Sequence, residues 1–126
     1  MLSDMDFYKS CDVPGPTKEA IRAIILYKSE VGENDNVVDI GCGTGGITCE
    51  FSQRANKVIS IDTNPEAIEV TKKNLKKFSL GDNVTLINDK GSNALSEIKN
   101  IDIAVVGGSG RELLSRIGRA SCRERV

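Results

Sequence analysis

Four short runs of apolar, largely β-branched residues recur along the chain and constrain its fold more than any other feature. They occupy residues 36–40, 57–61, 83–87 and 101–106, and Gly, Asn or Asp residues bound them. β-branched side chains favour extended backbone, whereas Gly, Asn and Asp favour the turns that end a strand. The four runs therefore predict four β-strands.

Helical patterns lie between these predicted strands. Ile47 and Phe51 share one helix face, and a second apolar stripe follows Asn64 and Pro65, which suit a helix N-cap and first turn. Gly81 is predicted to end that second helix. The stripe consists of Ile68, Thr71, Leu75 and Phe78. Alternating strands and helices predict a parallel sheet covered by helices on both faces, which is a Rossmann-like α/β fold.

A further helix is predicted ahead of the first strand, within residues 14–30, "PGPTKEAIRAIILYKSE". Thr17 suits its N-cap, and Ile21, Ile24 and Ile25 are expected on one face. We expect this leading helix to pack beside the first strand.

Length and charge narrow the class of protein. The chain has 126 residues, which predicts one domain, and its 17 basic and 18 acidic residues leave a net charge of -1. Balanced charge provides no global field that would recruit nucleic acid or anionic lipid. No apolar run approaches the roughly 20 residues of a membrane span, and the first residues lack the pattern of a secretion signal. These features predict a cytoplasmic protein that acts on a small molecule.

The metal-ligating and acid–base residue types are sparse. The chain has no histidine, and Cys11, Cys42, Cys49 and Cys122 form no CxxC pair, so we predict no metal site. The absence of histidine removes the most common general base, and we assign no catalytic residue.

A group of lysines on the second predicted helix allows two interpretations. Lys72, Lys73, Lys76 and Lys77 could contact an RNA backbone, but they alternate with the apolar stripe and no aromatic stacking surface accompanies them. We interpret them as a solvated helix face. Modification of RNA or protein remains an alternative function.

The end of the chain differs in character from the rest. Residues 117–126, "IGRASCRERV", lack apolar periodicity and resemble one reading frame of a sequencing adapter. We expect residues 1–116 to form the N-terminal part of one α/β domain and residues 117–126 to be a non-native tail; a short disordered basic terminus is the alternative. The sheet would then be truncated after its fourth strand. Residues 101–106 would form an apolar edge, and the isolated chain would be poorly soluble or inactive.

A glycine-rich stretch after the first predicted strand satisfies two motifs. Gly41, Gly43 and Gly46 fit GxGxxG, which brings backbone close to a dinucleotide pyrophosphate. Asp39, Gly41, Gly43 and Gly45 fit an acidic-x-Gly-x-Gly-x-Gly loop. A carboxylate opposes a pyrophosphate but attracts a ligand that carries ammonium and sulfonium cations. The second motif, and hence S-adenosylmethionine as the cofactor, is favoured; a nicotinamide-dependent oxidoreductase is the alternative.

Asp62 is the second acidic candidate at this edge of the sheet. It lies 21 residues beyond Gly41, at the predicted end of the second strand. A carboxylate there can accept hydrogen bonds from both ribose hydroxyls of a nucleoside cofactor. An aspartate that caps a helix or a turn is the alternative.

Four segments together resemble one methyltransferase family. They read "VPGPTKEAIRA", "VVDIGCGTGGIT", "VISIDTNPEAIE" and "IDIAVVGGSGREL", and the resemblance runs from about residue 4 to residue 116. The first and last are the more specific, and they resemble the CbiT family of decarboxylating cobalt-precorrin-6B C15-methyltransferases. The resemblance implies a class I methyltransferase fold with seven strands, a tetrapyrrole substrate of cobalamin synthesis, S-adenosylmethionine as cofactor and a homotetramer.

The resemblance, the acidic-glycine motif and the rule that ligands bind at the carboxyl ends of parallel strands together predict site residues. Cofactor contacts are expected at Thr17, Asp39, Gly41, Cys42, Gly43, Thr44, Gly45, Asp62, Asp89 and Gly91. Substrate contacts are expected at Pro14, Gly15, Gly107, Gly108, Ser109 and Gly110.

Two of these expectations, the adenine contact near Gly91 and the substrate contact at Ser109, have alternatives. The family often has an acidic residue directly before the position of Gly91, where it faces the adenine, and this chain has Lys90 there with Asp89 one place earlier. Adjacent side chains at a strand end point in different directions. For Ser109 and its neighbouring glycines, a strand-to-helix turn in which Ser109 is the cap is an equal alternative.

Overall fold

The fold is built on a five-stranded sheet, seen in a computed structural model that describes residues 1–107 and the backbone of residues 112–114. The strands are β1 (Asn36–Ile40), β2 (Lys57–Asp62), β3 (Val84–Asn88), β4 (Ile103–Val106) and β5 (Glu112–Leu114). The helices are α1 (Glu19–Ser29), α2 (Gly46–Ser52), α3 (Pro65–Lys77) and α4 (Gly91–Leu95), preceded by a 3₁₀ helix at Asp4–Asp6. The four predicted strands are therefore confirmed, with small differences at their ends.

The strand order is β3-β2-β1-β4-β5, and the first four strands are parallel, as predicted. The expectation that β4 forms an edge is wrong, because β5 pairs with it in antiparallel orientation, with Val105 opposite Leu113. Val106 and Glu112 are too close in sequence for a parallel crossover, which needs about a dozen residues or more. The chain can therefore only return antiparallel at this edge.

Helices cover both faces of the sheet because successive strand residues point to opposite sides. On one face, α1 and α2 pack against the sheet in a cluster of buried residues: Ile25, Val37, Ile47, Phe51, Val58, Ile103 and Val105. On the other face, α4 packs through Ala94 in a second cluster, which contains Val38, Ile61, Ala94 and Ala104. The predicted two-sided architecture is confirmed.

The start of α3 follows the prediction. Asn64 is the N-cap, and its side-chain oxygen accepts a hydrogen bond from the Glu66 amide at 2.9 Å, with Pro65 in the first turn. The helix ends at Lys77, ahead of Gly81. The lysines of α3 are exposed, as expected for a solvated face: Lys72, Lys73, Lys76 and Lys77.

The predictions for α1 are wrong in two respects. The N-cap is Lys18 rather than Thr17, and no side chain caps the helix. Ile21 and Ile24 are 42% and 46% exposed, while the buried face consists of Arg22, Ile25 and Ser29. A buried arginine is tolerated only when its donors find acceptors, and three of the four acceptors of the Arg22 side chain lie 18 to 28 residues away in the sequence.

Candidate cofactor site

The glycine-rich loop lies between the end of β1 and the start of α2. Gly41, Gly43 and Gly45 all have positive φ angles, of 79°, 56° and 96°, which glycine adopts without a steric penalty. The amides of Gly41 and Cys42 donate to the carbonyl of Ile61 at 2.7 and 3.2 Å. The loop thus leaves β1 and turns across the end of β2.

Asp62, at the end of β2, holds this loop with its carboxylate. One oxygen accepts a hydrogen bond from the Gly43 amide at 2.9 Å, and the other accepts one from the Asn64 amide at 2.9 Å. A carboxylate offers about four acceptor positions. Asp62 therefore has the turn-stabilising role that was its alternative, and its carboxylate keeps further acceptor positions.

Helix α3 holds the carbonyl side of the same loop. The Thr71 hydroxyl donates to the carbonyl of Gly43 at 2.9 Å, and the Asn74 amide donates to the carbonyl of Thr44 at 2.8 Å. Asn74 also joins the loop to the N-terminal segment, because it accepts from the Tyr8 amide at 2.7 Å and donates to the Tyr8 carbonyl at 3.2 Å. Side chains of α3 therefore hold the glycine-rich loop in place in the absence of a ligand.

A cavity of about 320 Å³ lies above this loop. Its wall opposite the loop is the segment from Pro14 to Thr17, and the hydroxyl of Thr44 donates to the carbonyl of Pro14 across it. The residues that line the cavity are Pro14, Gly15, Pro16, Thr17, Gly41, Cys42, Gly43, Thr44, Gly46, Asp62 and Gly107. Most of the predicted site residues are thus brought together at one place.

Four predicted cofactor residues do not line this cavity: Asp39, Gly45, Asp89 and Gly91. Asp39 is fully buried, and it accepts a hydrogen bond from Thr48 at 2.8 Å beneath the loop. Three predicted substrate residues, Gly108, Ser109 and Gly110, lie outside the described residues, as do residues 117–126.

Neighbouring glycines of the loop serve different purposes. A Cβ atom added to Gly43 would meet nothing within 4 Å, so the Gly43 backbone faces open space. A Cβ atom added to Gly45 would lie 2.9 Å from the Thr71 methyl group. Gly43 therefore leaves room at the cavity, whereas Gly45 allows the loop to pack against α3.

The end of β3 lies beside this site. The Asp89 amide donates to the carbonyl of Asp62 at 3.1 Å. The half-buried Asp89 accepts from the Lys90 amide at 2.6 Å and from the Asn93 side chain at 3.3 Å with its carboxylate. A Cβ atom on Gly91 would lie 2.7 Å from a methyl group of Ile40, so Gly91 permits α4 to pack on β1.

The thiols at the site are buried and inert. Burial, reinforced by the nearby carboxylate of Asp39, raises the pKa of Cys42 to about 12, and burial raises that of Cys49, reinforced by Glu50, to about 12. A thiol with such a pKa is protonated at neutral pH and is a poor nucleophile. Cys11 is exposed. In the described part of the chain, no group of three or more metal-ligating side chains is placed to hold a metal ion.

A second cavity, of about 660 Å³, lies on the outer side of α3. It is lined by Tyr8, Lys9, Ser10, Glu66, Glu69, Val70, Lys73, Lys76 and Lys77. None of the glycine-loop residues contributes to it, so we place the candidate site in the smaller cavity.

None of the described helices is long and apolar enough to cross a membrane.

A parallel sheet in the order 3-2-1-4, with a glycine loop after β1 and an acidic residue at the end of β2, is the arrangement of α/β folds that bind nucleoside cofactors, class I methyltransferases among them. Comparison with known proteins identifies the family. Residues 14–122 match the precorrin methyltransferase domain family, and the chain belongs to that family. The resemblance inferred from the sequence is thus confirmed.

Individual relatives agree with this membership. The chain is 80% identical over 113 residues, 90% of its length and 60% of the relative's, to a probable cobalt-precorrin-6B C(15)-methyltransferase (decarboxylating) of Methanobrevibacter smithii. A crystal structure of precorrin 8W decarboxylase from Methanobacterium thermoautotrophicum is 52% identical, with a TM-score of 0.85 over 87% of this chain and 59% of that chain. Precorrin-6y C5,15-methyltransferase from Geobacter metallireducens is 28% identical, with a TM-score of 0.76 over 87% and 58%.

The chain spans about 60% of the length of these curated relatives. The matched region contains the glycine loop, Asp62 and the wall from Pro14 to Thr17, which all lie between residues 14 and 122.

Sequence reasoning missed Arg22, Glu50 and Asn74, three buried polar residues around the site. The pattern of apolar residues does not identify them, because a polar side chain on a helix is normally expected to be solvated.

Proposed function

We propose that this chain binds S-adenosylmethionine in the cavity above the glycine loop, and that the protein methylates carbon 15 of cobalt-precorrin-6B with decarboxylation of an acetate side chain. The observation that carries the cofactor assignment is the open space in front of Gly43, next to the carboxylate of Asp62. A nucleoside can approach bare backbone there while its ribose hydroxyls donate to Asp62. The substrate assignment is supported by the names of the relatives.

The charge of the cavity supports this cofactor over a dinucleotide. Among the residues that the structure describes, the lining contains one acidic side chain, Asp62, and no basic one. A pyrophosphate would lie among acceptors without a cationic partner, whereas a ligand with ammonium and sulfonium groups gains attraction. The same reasoning weakens the alternative of a nicotinamide-dependent oxidoreductase.

The residues of the chain would contribute binding and orientation. The cofactor supplies a methyl group that its sulfonium already activates, so the protein's main task is alignment. Asp62 would orient the ribose, and the loop backbone at Gly43 and Thr44 would set the depth at which the cofactor lies. Gly107, at the end of β4, would border the substrate side. We assign no general base.

The wider assignments remain part of the proposal. Asp89 would face the adenine, since its backbone is joined to Asp62 at the adjacent strand end. A homotetrameric assembly and a small-molecule tetrapyrrole substrate are implied by the family resemblance. A cytoplasmic location without nucleic-acid or membrane partners is the expectation from the balanced charge. Gly15 and Pro14 would lie on the substrate side of the wall.

Two measurements test the proposal. Calorimetric titration of the 126-residue chain should detect binding of S-adenosylhomocysteine, the product of methyl transfer, and no binding of NADH. Binding of NADH alone would contradict the cofactor assignment. For the reaction, this chain would replace the matched region of the Methanobrevibacter smithii relative, and the chimera should methylate cobalt-precorrin-6B with release of carbon dioxide. A chimera that binds the cofactor but methylates only RNA would contradict the substrate assignment.

A further inference from the structure

Arg22 is the largest fully buried side chain among the described residues, and it lies on α1, outside the cavity lining. Its guanidinium group donates to the carboxylates of Glu50 at 3.1 Å and Asp4 at 2.6 Å. It also donates to the backbone carbonyls of Thr17 and Leu2. One side chain therefore joins the first residues of the chain, the cavity wall and α2.

The contact with Thr17 links Arg22 directly to the candidate site. Thr17 and Pro16 line the cavity, and a Cβ atom on Gly46 would lie 3.1 Å from Pro16 and 3.4 Å from the Arg22 stem. The arginine stem thus lies behind both the wall and the first residue of α2. A displacement of Arg22 changes the separation between the wall and the glycine loop.

The geometry of this network requires an arginine. The guanidinium group presents five N–H donors in a rigid plane, whereas a lysine ammonium is a compact point charge on a flexible stem. A lysine could balance the charge of the fully buried Glu50, but it could not hold carboxylates and carbonyls in four directions at once. Arg54, which donates to the other oxygen of Glu50 at 3.2 Å, contacts no residue of the wall in this network.

We propose that Arg22 is a positioning residue for cofactor binding: it fixes the wall from Pro14 to Thr17 at the distance from the glycine loop that the cofactor needs. It acts through the Thr17 carbonyl and touches no ligand itself. The part of this inference that concerns the cofactor rests on the proposed function. The part that concerns the position of the wall does not.

The test compares Arg22→Lys with Arg54→Met in the 126-residue chain. Both variants alter a cationic partner of Glu50, but only the first alters a contact with the wall. At a temperature well below both unfolding midpoints, the dissociation constant of S-adenosylhomocysteine should rise at least tenfold in Arg22→Lys and stay within twofold in Arg54→Met. In the active chimera, Arg22→Lys should raise the cofactor KM with little change in kcat. Equal changes in both variants would show a merely structural role and overturn the proposal.

A ligand-independent measurement separates this inference from the proposed function. Trypsin cleaves after the exposed Lys18, whose following amide, that of Glu19, donates to Asp4, a partner of Arg22. Cleavage there should be at least tenfold faster in Arg22→Lys than in the unmodified chain, and unchanged in Arg54→Met. Unchanged cleavage in Arg22→Lys overturns the inference, even if the cofactor binds. Faster cleavage without any cofactor binding supports the positioning of the wall and contradicts only the proposed function.

A measurement on the unmodified chain applies if Arg22→Lys does not fold. S-adenosylhomocysteine should slow amide hydrogen exchange in residues 14–19 and also in residues 2–6, which do not line the cavity but share the Arg22 network. Protection confined to residues 14–19 would overturn the proposed coupling. If the ligand does not bind, Asp4→Asn should accelerate trypsin cleavage after Lys18, and unchanged cleavage would overturn the inference.

Discussion

The same Asp-x-Gly pattern occurs near the carboxyl ends of two strands, β1 and β3. It has different structural consequences at the two strands. Asp39, Ile40 and Gly41 follow the middle of β1, whereas Asp89, Lys90 and Gly91 follow β3. Asp39 is fully buried within its strand, while Asp89 is half-buried just beyond its own. Gly41 turns the chain into the loop with a φ of 79°, whereas Gly91 starts a helix that packs on Ile40.

The difference arises from the position of each aspartate relative to the end of its strand. Asp39 is still paired within β1, so its side chain points into the covered sheet and reaches Thr48 of α2. Asp89 lies one residue after β3, and its carboxylate accepts the Lys90 amide at the start of α4. The first segment places bare backbone in front of a cavity, and the second joins a helix to the sheet. An acidic-x-Gly pattern therefore indicates a strand end, but not by itself a ligand contact.

Gly43→Val, on the cavity side of this comparison, is expected to cause the largest loss of ligand affinity. The positive φ of 56° costs a residue with a side chain about 1–2 kcal/mol of folding stability, and valine would project into the space that the cofactor needs. We expect affinity for S-adenosylhomocysteine to fall at least about a hundredfold, or roughly 2.8 kcal/mol, by calorimetry. Gly43→Ala is the matched control, with similar strain and less obstruction, and it should bind better than Gly43→Val. Normal binding by a folded valine variant would contradict the assignment of the loop.

Asp62→Ala should have the next largest effect. It removes the acceptor of the Gly43 and Asn64 amides together with the charge-assisted bonds expected from ribose, each worth about 1.5–3 kcal/mol. Water that enters the emptied space recovers part of this energy, so affinity should fall by about tenfold to a hundredfold, which corresponds to the loss of one bond. Asp62→Asn keeps one carbonyl acceptor and should fall between the unmodified chain and Asp62→Ala. Calorimetry that finds unchanged affinity in both variants would remove Asp62 from the site.

These two positions were predictable from the sequence, and the reason is physical. Strand, turn and cap signals depend on neighbouring residues, so β1 to β4, the Asn64 cap and the glycine loop could be predicted within a few residues. The burial of Arg22 and Asn74 could not, because it depends on partners at Glu50 and Tyr8, which lie 28 and 66 residues away. The same limit explains why Ile21 and Ile24 were expected on the buried face of α1.

The position of Gly45 shows a second limit. Sequence reasoning assigned Gly41, Gly43 and Gly45 alike to the cofactor, because a motif does not distinguish a glycine that faces a ligand from one that faces protein. The distinction depends on Thr71 of α3, which would lie 2.9 Å from a Cβ atom on Gly45. β5 was missed for a similar reason, since its pairing with β4 depends on three residues, Glu112–Leu114, without a distinctive pattern.

Gly91→Ala tests the other side of the comparison. A methyl group there would lie 2.7 Å from Ile40, and overpacking of this kind costs about 1–3 kcal/mol. We expect the free energy of unfolding to fall by that amount in chemical denaturation, with affinity for S-adenosylhomocysteine within about twofold of the unmodified chain. Gly32→Ala is the control, because its nearest neighbour would be 3.8 Å away. A large loss of affinity without a loss of stability would show that Gly91 contacts the cofactor.

Asp89→Ala should have the smallest effect. It tests whether the segment after β3 contacts the cofactor, as the segment after β1 is proposed to do. If ribose lies at Asp62, the adenine extends toward the end of β3, where the Asp89 amide is bonded to the Asp62 carbonyl. The Lys90 amide and Asn93 share one oxygen of the Asp89 carboxylate, which leaves acceptor positions for the adenine 6-amino group. An exposed bond of this kind contributes about 0.5–1.5 kcal/mol, so we expect an affinity loss of about twofold to twelvefold.

A second ligand distinguishes a direct contact from a change in the turn. The analogue of S-adenosylhomocysteine with hydrogen in place of the 6-amino group cannot donate to Asp89, so the alanine substitution should leave its affinity unchanged. The difference between the two ligands then gives the pairwise interaction energy. Equal losses for both ligands would mean that Asp89 acts only by holding Lys90 and Asn93 at the start of α4. No loss for either ligand would mean that the end of β3 contributes packing alone, and that the two Asp-x-Gly segments share a pattern but no function.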